Sequence, residues 1–484
     1  MKKIFLLITV GLSTISLMGQ TPCENGFAGN YPCDGYDLQS QISLDILAGS
    51  NQERGNDSWG WTDPDSGKEY AIIGMSNGTA FVDISDPVNP VFLGRLPTET
   101  FSTIWRDIKV RENYAYMVAD AANDHGMQVF DLTRLRNVTN PPVIFDHDAH
   151  YEGVGSCHNI VINPSQPYAY LVGCDNFSGG PVFVDISNPL NPVSAGGYGD
   201  SGYTHDAQVV TYDGPDSDYT GREIYIGSNG SFGSNNKVVF LDVTDKNNPV
   251  LISEIDYDSP GYTHQCWLTE DSNYLLLGDE LDEQSFGINT RTIVFDVQDL
   301  DNPQVHQEYF GQTEAIDHNG YVLGDKYYLA NYTAGLRVID ISDIENPNNS
   351  LEEIAYFDTY PQNNVADFDG AWSVYPYFES GNIVISDISR GYFLVRPSDG
   401  TMGVGEVNSG SFNIYPNPAT THAKILAGKN SQIESVKVYS LLGQELFSQK
   451  QLNQKEFTLP VNTLAKGVYV VKINDLVTKK LVVR

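Results

Sequence analysis

Apolar and polar positions along most of this chain form short runs that end at turn-forming residues. No stretch keeps the three-to-four-residue apolar spacing of a helix over several turns. The stretch from Glu69 shows the pattern. Residues 69–75 are a β-rich apolar run, Ser76-Asn77-Gly78 is a turn, residues 79–84 make a second strand, and residues 91–96 follow the Asn89-Pro90 turn as a third. A strand ahead of Glu69 completes a set of four. The second strand and its turn, Phe81-Val82-Asp83-Ile84-Ser85-Asp86-Pro87-Val88-Asn89-Pro90, return over residues 129–141, 183–192, 240–249, 294–303 and 338–347. The Asp of this phrase recurs as Asp83, Asp131, Asp185, Asp242, Asp296 and Asp340, at separations of 48, 54, 57, 54 and 44 residues. That period is slightly wider than the ~40–50 residues of a four-stranded propeller blade. A lone sheet of this kind exposes both faces, whereas like sheets packed around an axis bury them and leave only short edges. The predicted fold class is all-β, a β-propeller.

Innermost strands starting near Ser58, Thr103, Cys157, Thr204, Thr263, Asp317 and Gly370 count seven blades. The last unit, residues 370–397, has three strands and no Asn-Pro turn, and a spare strand stands at residues 41–47. That strand is expected to complete the seventh sheet and close the ring, with both chain ends in one blade. The propeller then spans residues 41–398, after an N-terminal segment at 20–40 and before a linker at 399–411.

The ends change the picture of where the protein works. Lys2 and Lys3, an apolar run from Ile4 to Val10 and the small Gly19 read as a secretory signal over residues 1–19, cleaved before Gln20. A membrane anchor would need about 20 apolar residues without Ser13, Thr14 and Ser16. No other segment is apolar enough to span a bilayer, so no transmembrane anchor is expected in the mature chain. Charge divides unevenly: residues 411–484 carry ten Lys or Arg against four acids, or +6. Without these and the two signal lysines, 16 basic residues face 58 acidic ones, or −42. Such a surface argues against nucleic acid and anionic membrane as partners and permits cations. Five cysteines suit an exported chain. Cys23 and Cys33 are expected to close a disulfide in the N-terminal segment. Cys157 and Cys174, placed symmetrically about a turn at 163–167, are either bridged or packed as thiols, and Cys266 is left as a buried small residue.

Two sets of motifs carry family resemblances. Asn413-Ile414-Tyr415-Pro416-Asn417-Pro418-Ala419, Val436-Lys437-Val438-Tyr439-Ser440-Leu441-Leu442-Gly443, Lys466-Gly467-Val468-Tyr469-Val470-Val471-Lys472-Ile473 and Lys479-Lys480-Leu481-Val482-Val483-Arg484 resemble the type A C-terminal sorting domain of the type IX secretion system. Read from the residues alone, 412–484 is a small β-sandwich. The resemblance implies export across a Gram-negative outer membrane, with release or attachment at the cell surface and the type IX machinery as partner. The blade phrase, with Trp105-Arg106-Asp107-Ile108-Lys109-Val110, Tyr203-Thr204-His205-Asp206, Gly335-Leu336-Arg337-Val338 and Ala371-Trp372-Ser373-Val374-Tyr375-Pro376, resembles the choice-of-anchor B proteins with LVIVD-type repeats over residues 38–398. That family implies the fold and an interchangeable C-terminal anchoring device, and no activity.

Chemistry is sought at the hub. At the starts of the innermost strands stand Trp59, Arg106, His158, His205, His264, His318 and Trp372, followed by Gly60, Asp107, Asn159, Asp206, Gln265, Asn319 and Ser373. Imidazoles converging from adjacent blades would bind Zn²⁺, Cu²⁺ or Ni²⁺, oriented by neighbours such as Asp206. In a second reading the hub holds a glycan, peptide end or other polar ligand through Trp59, Asp206, Trp372 and Arg106, the last as an anion clamp. In a third, each His caps its strand by donating to a backbone carbonyl of the next blade. Asp213, Asp216 and Asp218 have the chemistry of a Ca²⁺ loop. Asp279, Glu280, Asp282 and Glu283 could supply paired carboxylates or a second calcium staple. The Gly197/Gly199/Gly202 string precedes a strand, not a helix, which rejects dinucleotide binding. There is no His-Glu-x-x-His, Gly-x-Ser-x-Gly or Walker sequence, so no enzyme class is indicated. The expectation is an exported ligand- or protein-binding propeller with an unknown glycan or protein partner. The alternative is a metal-dependent enzyme using the four histidines.

Overall fold

A computed structural model describes residues 20–233, 235–348, 350–398, 412–415, 419–427, 432–440, 445–462, 464–474 and 477–484. The chain divides into two units between Ser398 and Asp399. The expected signal and linker lie outside the described residues.

Among the described residues, the first unit contains seven sheets, each built on four antiparallel strands in blade order, the first with the short strand Val143–Ile144 added in parallel at its outer edge. Their innermost strands are Gly55–Thr62, Arg106–Arg111, Asn159–Ile162, Asp206–Thr211, Thr263–Leu268, Gly320–Leu323 and Ala371–Tyr375. The fold is the expected seven-bladed β-propeller. Apolar side chains of both sheet faces form the packing between blades, as where Phe81 stacks on Phe130 at 4.4 Å between centroids.

The repeated phrase has a local cause. Its Asp side chain accepts the backbone N–H two residues on: Asp83 from Ser85 at 3.0 Å, Asp185 from Ser187 at 2.8 Å, Asp242 from Thr244 at 3.0 Å, Asp296 from Gln298 at 3.1 Å and Asp340 from Ser342 at 2.8 Å. Asp131 does the same with Thr133 at 2.9 Å, where a short 3-10 helix replaces the turn. Each Asp thereby turns its chain from the third strand toward the fourth. In five blades the pairing of those two strands shifts register just before this Asp, which adds twist to the outer half of the sheet.

The ring closes through the N-terminal segment, at a different place from the expectation. The closing strand is Tyr36–Ile42, paired antiparallel with Gly391–Pro397 of the seventh blade, and residues 41–47 are not that strand. Leu44–Leu47 is instead a single helical turn that buries Leu44 and Leu47. Two leucines three apart satisfy one face of a helical turn as well as they suggest a strand. Ahead of the closing strand, Tyr31–Asp34 pairs with the outer strand Glu352–Phe357 of the sixth blade, which covers its edge.

Cys23–Cys33 and Cys157–Cys174 are disulfides, and Cys266 is a buried free thiol. The second bridge joins the two strand ends that the sequence left open between bond and thiols. Burial pushes the Cys266 thiol up to about 12. Peptide mass spectrometry without reductant is expected to recover both linked pairs. Cys266 is expected to react with a maleimide only after denaturation.

Among its described residues the second unit has two antiparallel sheets. One contains Phe412–Tyr415, His422–Ala427 and Glu456–Pro460, and the other Ile433–Ser440, Glu445–Gln454, Gly467–Ile473 and Val477–Val483. Ile425, Val436, Val438, Leu459, Val471, Ile473 and Leu481 form its core.

Candidate functional site

Two levels of side chains line the axis near the start of the innermost strands. The second level is a polar girdle that sews blade to blade. Asp107 accepts from the Ile160 N–H at 2.7 Å, and the Asn159 amide donates to the His205 carbonyl at 2.9 Å. Gln265 donates to Asp206 at 3.1 Å and accepts from the Gly320 N–H at 2.6 Å, while Asn319 donates to Asp57 at 3.0 Å. Lys109 stands at the centre, 2.6 Å from Asp107 and 3.2 Å from Asp57. It is 5% exposed.

The first level opens into a chamber of 620 Å³. His158, His205 and His318 line its floor, and His264 is buried between His205 and His318. His158, His205, His264 and His318 follow one another at centroid distances of 4.2, 4.3 and 4.2 Å, and Trp372 continues the arc 4.8 Å from His318. His205 Nδ1 donates to the His264 carbonyl at 3.1 Å, and His318 Nδ1 donates to the Trp372 carbonyl at 2.5 Å. His158 Nδ1 faces the Asp120 carboxylate at 2.9 Å. Among the described residues His264 has no hydrogen-bond partner at either ring nitrogen, and it is 1% exposed. The expected strand caps therefore exist for His205 and His318, and His158 and His264 depart from them.

Glu280 enters the same arc. Its carboxylate lies 3.8 Å from His264 Nε2 and 3.7 Å from His318 Nε2, and accepts from the Tyr332 hydroxyl at 2.9 Å. Burial pushes the Glu280 carboxyl up to about 7 against that hydrogen bond. Burial also holds His205 and His264 well below the usual imidazole range and His318 down at about 3, so these rings are neutral at pH 7. Tyr332 keeps its hydroxyl on Glu280 from a backbone φ of 22°, in the left-handed region that a bulky residue rarely adopts.

Several predicted positions are elsewhere. Arg106 is no anion clamp: it is 2% exposed and turned between the first two blades. There it donates to the Met75 carbonyl at 3.1 Å and to Thr98 at 2.6 Å, and lies 3.2 Å from His125 Nε2. Trp59 lies beyond the girdle and lines a separate cavity of 460 Å³ at the other end of the axis. In the first blade it is Asp57, not Gly60, that shares Lys109 with Asp107, so the alignment of that strand was three residues out of phase. Asp206 belongs to the girdle. Asp213, Asp216 and Asp218 do not converge on one point. Asp216 groups instead with Asp299 and Asp301 and spends its oxygens on the N–H groups of Leu300 and Asp218. Of the 279–283 carboxylates, Glu280 alone lines the chamber. Asp279 is fully buried and accepts from Gly261, Tyr262 and Tyr257, while Asp282 pairs with Arg291 at 2.6 Å.

Glu280, Tyr332 and Asp120 were not placed at the hub from the sequence. They follow the second strands Tyr274–Asp279, Lys326–Ala330 and Tyr114–Ala119. Those strands run antiparallel to the innermost ones, so their ends meet the innermost strands' starts. Aligning second-strand ends as well as first-strand starts would have found them.

Residues 66–98, 105–131, 161–200 and 321–352 match the LVIVD repeat, and residues 413–484 match the secretion system C-terminal sorting domain. The chain carries LVIVD repeats and a C-terminal secretion sorting domain. The sorting domain indicates secretion or display at the cell surface and interaction with the type IX secretion machinery. No helix among the described residues is long and apolar enough to cross a membrane. No curated protein matches the chain. Among solved structures, Kuenenia stuttgartiensis hydrazine synthase is 12% identical, over 68% of this chain and 92% of its own, with a TM-score of 0.47. The β-propeller domain of Myceliophteria thermophila Cps50 (Swd1) is 11% identical over 68% and 93%, with a TM-score of 0.43. A functionally unknown protein from Desulfotomaculum acetoxidans is 12% identical over 64% and 87%, also at 0.43.

Proposed function

We propose that the LVIVD propeller is an extracellular binding protein of the choice-of-anchor B type, and that its hub chamber takes a small molecule with an apolar body and a polar head. The observation that carries this reading is the rim. Trp105 (39% exposed), Phe368 (44%) and Phe232 (89%) leave aromatic surface in water around a chamber whose floor is buried imidazole and carboxylate. Exposed aromatic surface gathered at one cavity mouth is the signature of a ligand site, and an apolar wall with few convergent polar groups supplies both affinity and orientation.

The test uses untagged mature protein, residues 20–484, against a metabolite library read by tryptophan fluorescence and thermal shift. Trp105→Ala and Phe368→Ala remove half-exposed rings, so they are expected to leave folding intact and to weaken a hub ligand at least ~10-fold. Hits that bind both variants as tightly as the parent protein would show that the chamber is not the site. Export has a separate test. Deleting residues 412–484 is expected to leave the propeller folded and trapped in the periplasm, seen by immunoblot of cell fractions.

A further inference from the structure

We infer that the hub floor is a binding site for one divalent first-row transition-metal ion, held by His205, His264 and Glu280, with His318 beside them. This deepens the proposed function and rests on the hub being the functional site.

Three independent features carry it. The first is convergence: one ligand atom from each of His205, His264 and Glu280 lies within 4.8 Å of the others. Two donors bonded at about 2.0–2.1 Å to one metal stand about 3.3 Å apart at a tetrahedral angle and at most about 4.1 Å apart. Glu280 stands 3.8 Å from His264 Nε2 and 3.7 Å from His318 Nε2, too far for hydrogen bonds and within the span one ion bridges. The second is tautomer control. A carbonyl can only accept, so the bonds from His205 and His318 to the next blade's backbone put the proton on Nδ1 and leave the Nε2 lone pair free. An imidazole whose second nitrogen donates to a carbonyl is the usual arrangement of a metal-ligating histidine. The strand cap and the metal ligand are thus one arrangement, not rival ones. The third is an orphan. His264, enclosed between His205 and His318, has no hydrogen-bond partner for either nitrogen among the described residues, and an unpaired buried polar group is costly unless a bound group satisfies it.

The donor set selects the ion class. Neutral imidazoles with a single carboxylate suit Zn²⁺, Cu²⁺ or Ni²⁺ and are a poor match for Ca²⁺ or Mg²⁺, which take oxygen. One carboxylate against a divalent ion leaves a net positive centre at the chamber floor. The open side of that centre would meet the polar head of a ligand whose body lies against the aromatic rim.

The experiment strips untagged mature protein with chelator, reloads it with Zn²⁺ or Cu²⁺, desalts it and measures metal by elemental mass spectrometry. About one equivalent per chain is expected. The electron paramagnetic resonance spectrum of the Cu²⁺ form is expected to show nitrogen couplings from at least two imidazoles. His264→Ala is expected to abolish retention, and Glu280→Gln, which preserves shape, to weaken binding at least ~10-fold. Failure of folded wild-type protein to retain either ion overturns the inference. So does equal retention by folded His264→Ala and Glu280→Gln proteins. If His264→Ala does not fold, the wild-type copper spectrum decides alone: a spectrum without nitrogen coupling refutes the site. Repeating the ligand screen on stripped protein separates the two readings. Small-molecule binding that survives without metal, beside failed metal retention, leaves the chamber reading standing and removes only the ion.

Discussion

Deleting residues 20–42 is expected to abolish cooperative folding of the propeller, even though every residue of the hub floor remains. Tyr36–Ile42 supplies the outer strand of the seventh blade, pairing from Tyr36 with Pro397 to Ile42 with Tyr392. Tyr36 and Ile42 are 3% and 8% exposed and pack against the same sheet as Phe393, Val395 and Leu394, which are fully buried. Each large apolar side chain moved from core to water costs about 1.5–3 kcal/mol, and several such losses reach the whole ~5–15 kcal/mol that holds a typical domain. The new edge also exposes unpaired backbone groups of Gly391–Pro397 to other chains. The check is urea unfolding followed by circular dichroism, with size-exclusion chromatography for aggregation. A permuted chain carrying residues 20–42 after Ser398 is expected to recover the transition, because the strand acts through position in the sheet rather than through chain order. A truncated protein that unfolds at the wild-type urea concentration would refute the closure.

Lys109→Met is expected to destabilise the propeller by about 3–5 kcal/mol, the usual consequence of removing one partner from a buried ion pair. Lys109 is the cation of the girdle, within salt-bridge distance of Asp57 and Asp107, both 2% exposed, and its Nζ lies 4.7 Å above the Trp59 ring. Without it, two carboxylates face each other in the axis with no countercharge. The loss should shrink in Lys109→Met/Asp57→Asn, since the double change removes a buried charge together with its partner. Additive effects of the two single changes would count against the coupling. The same site gives a pH dependence. Burial, with the charge of Asp107 adding to it and Lys109 opposing, pushes the Asp57 carboxyl up to about 7. Its folded-state value therefore lies above the unfolded one, so the folded protein holds a proton that the unfolded chain releases. This contribution to stability is present at about pH 4 and is lost as pH rises toward 7. Asp57→Asn is expected to flatten that part of the profile, measured as urea midpoints at pH 4.5, 6 and 7.5. A mutant profile parallel to the wild-type one would show that Asp57 ionises normally.

The architecture and the run of four neighbouring imidazoles were legible in the residues, for a physical reason. A propeller repeats one local solution, so Asp83 and its five counterparts each cap a turn within two residues, and a short-range cause leaves a periodic trace in the chain. The histidines were readable likewise because each holds the same position on its strand. What the linear chain could not decide depends on distance through space. Arg106 stands at the start of its strand as His205 does. It turns between blades because the Met75 carbonyl, Thr98 and His125 meet it there, and none of these is a sequence neighbour. Lys109 reads as an ordinary strand lysine until Asp57, 52 residues away in the chain, is placed beside it. Glu280 sits in an acidic run whose other members bind elsewhere, Asp279 to Gly261 and Tyr262, Asp282 to Arg291 and Glu283 to the Asp317 N–H, and only the meeting of second-strand ends with innermost-strand starts brings it to His264 and His318. Repetition made the blades and the imidazole ring readable from the chain. The register between strands of different blades, which only packing sets, decided which side chains face the axis and which are spent between the sheets.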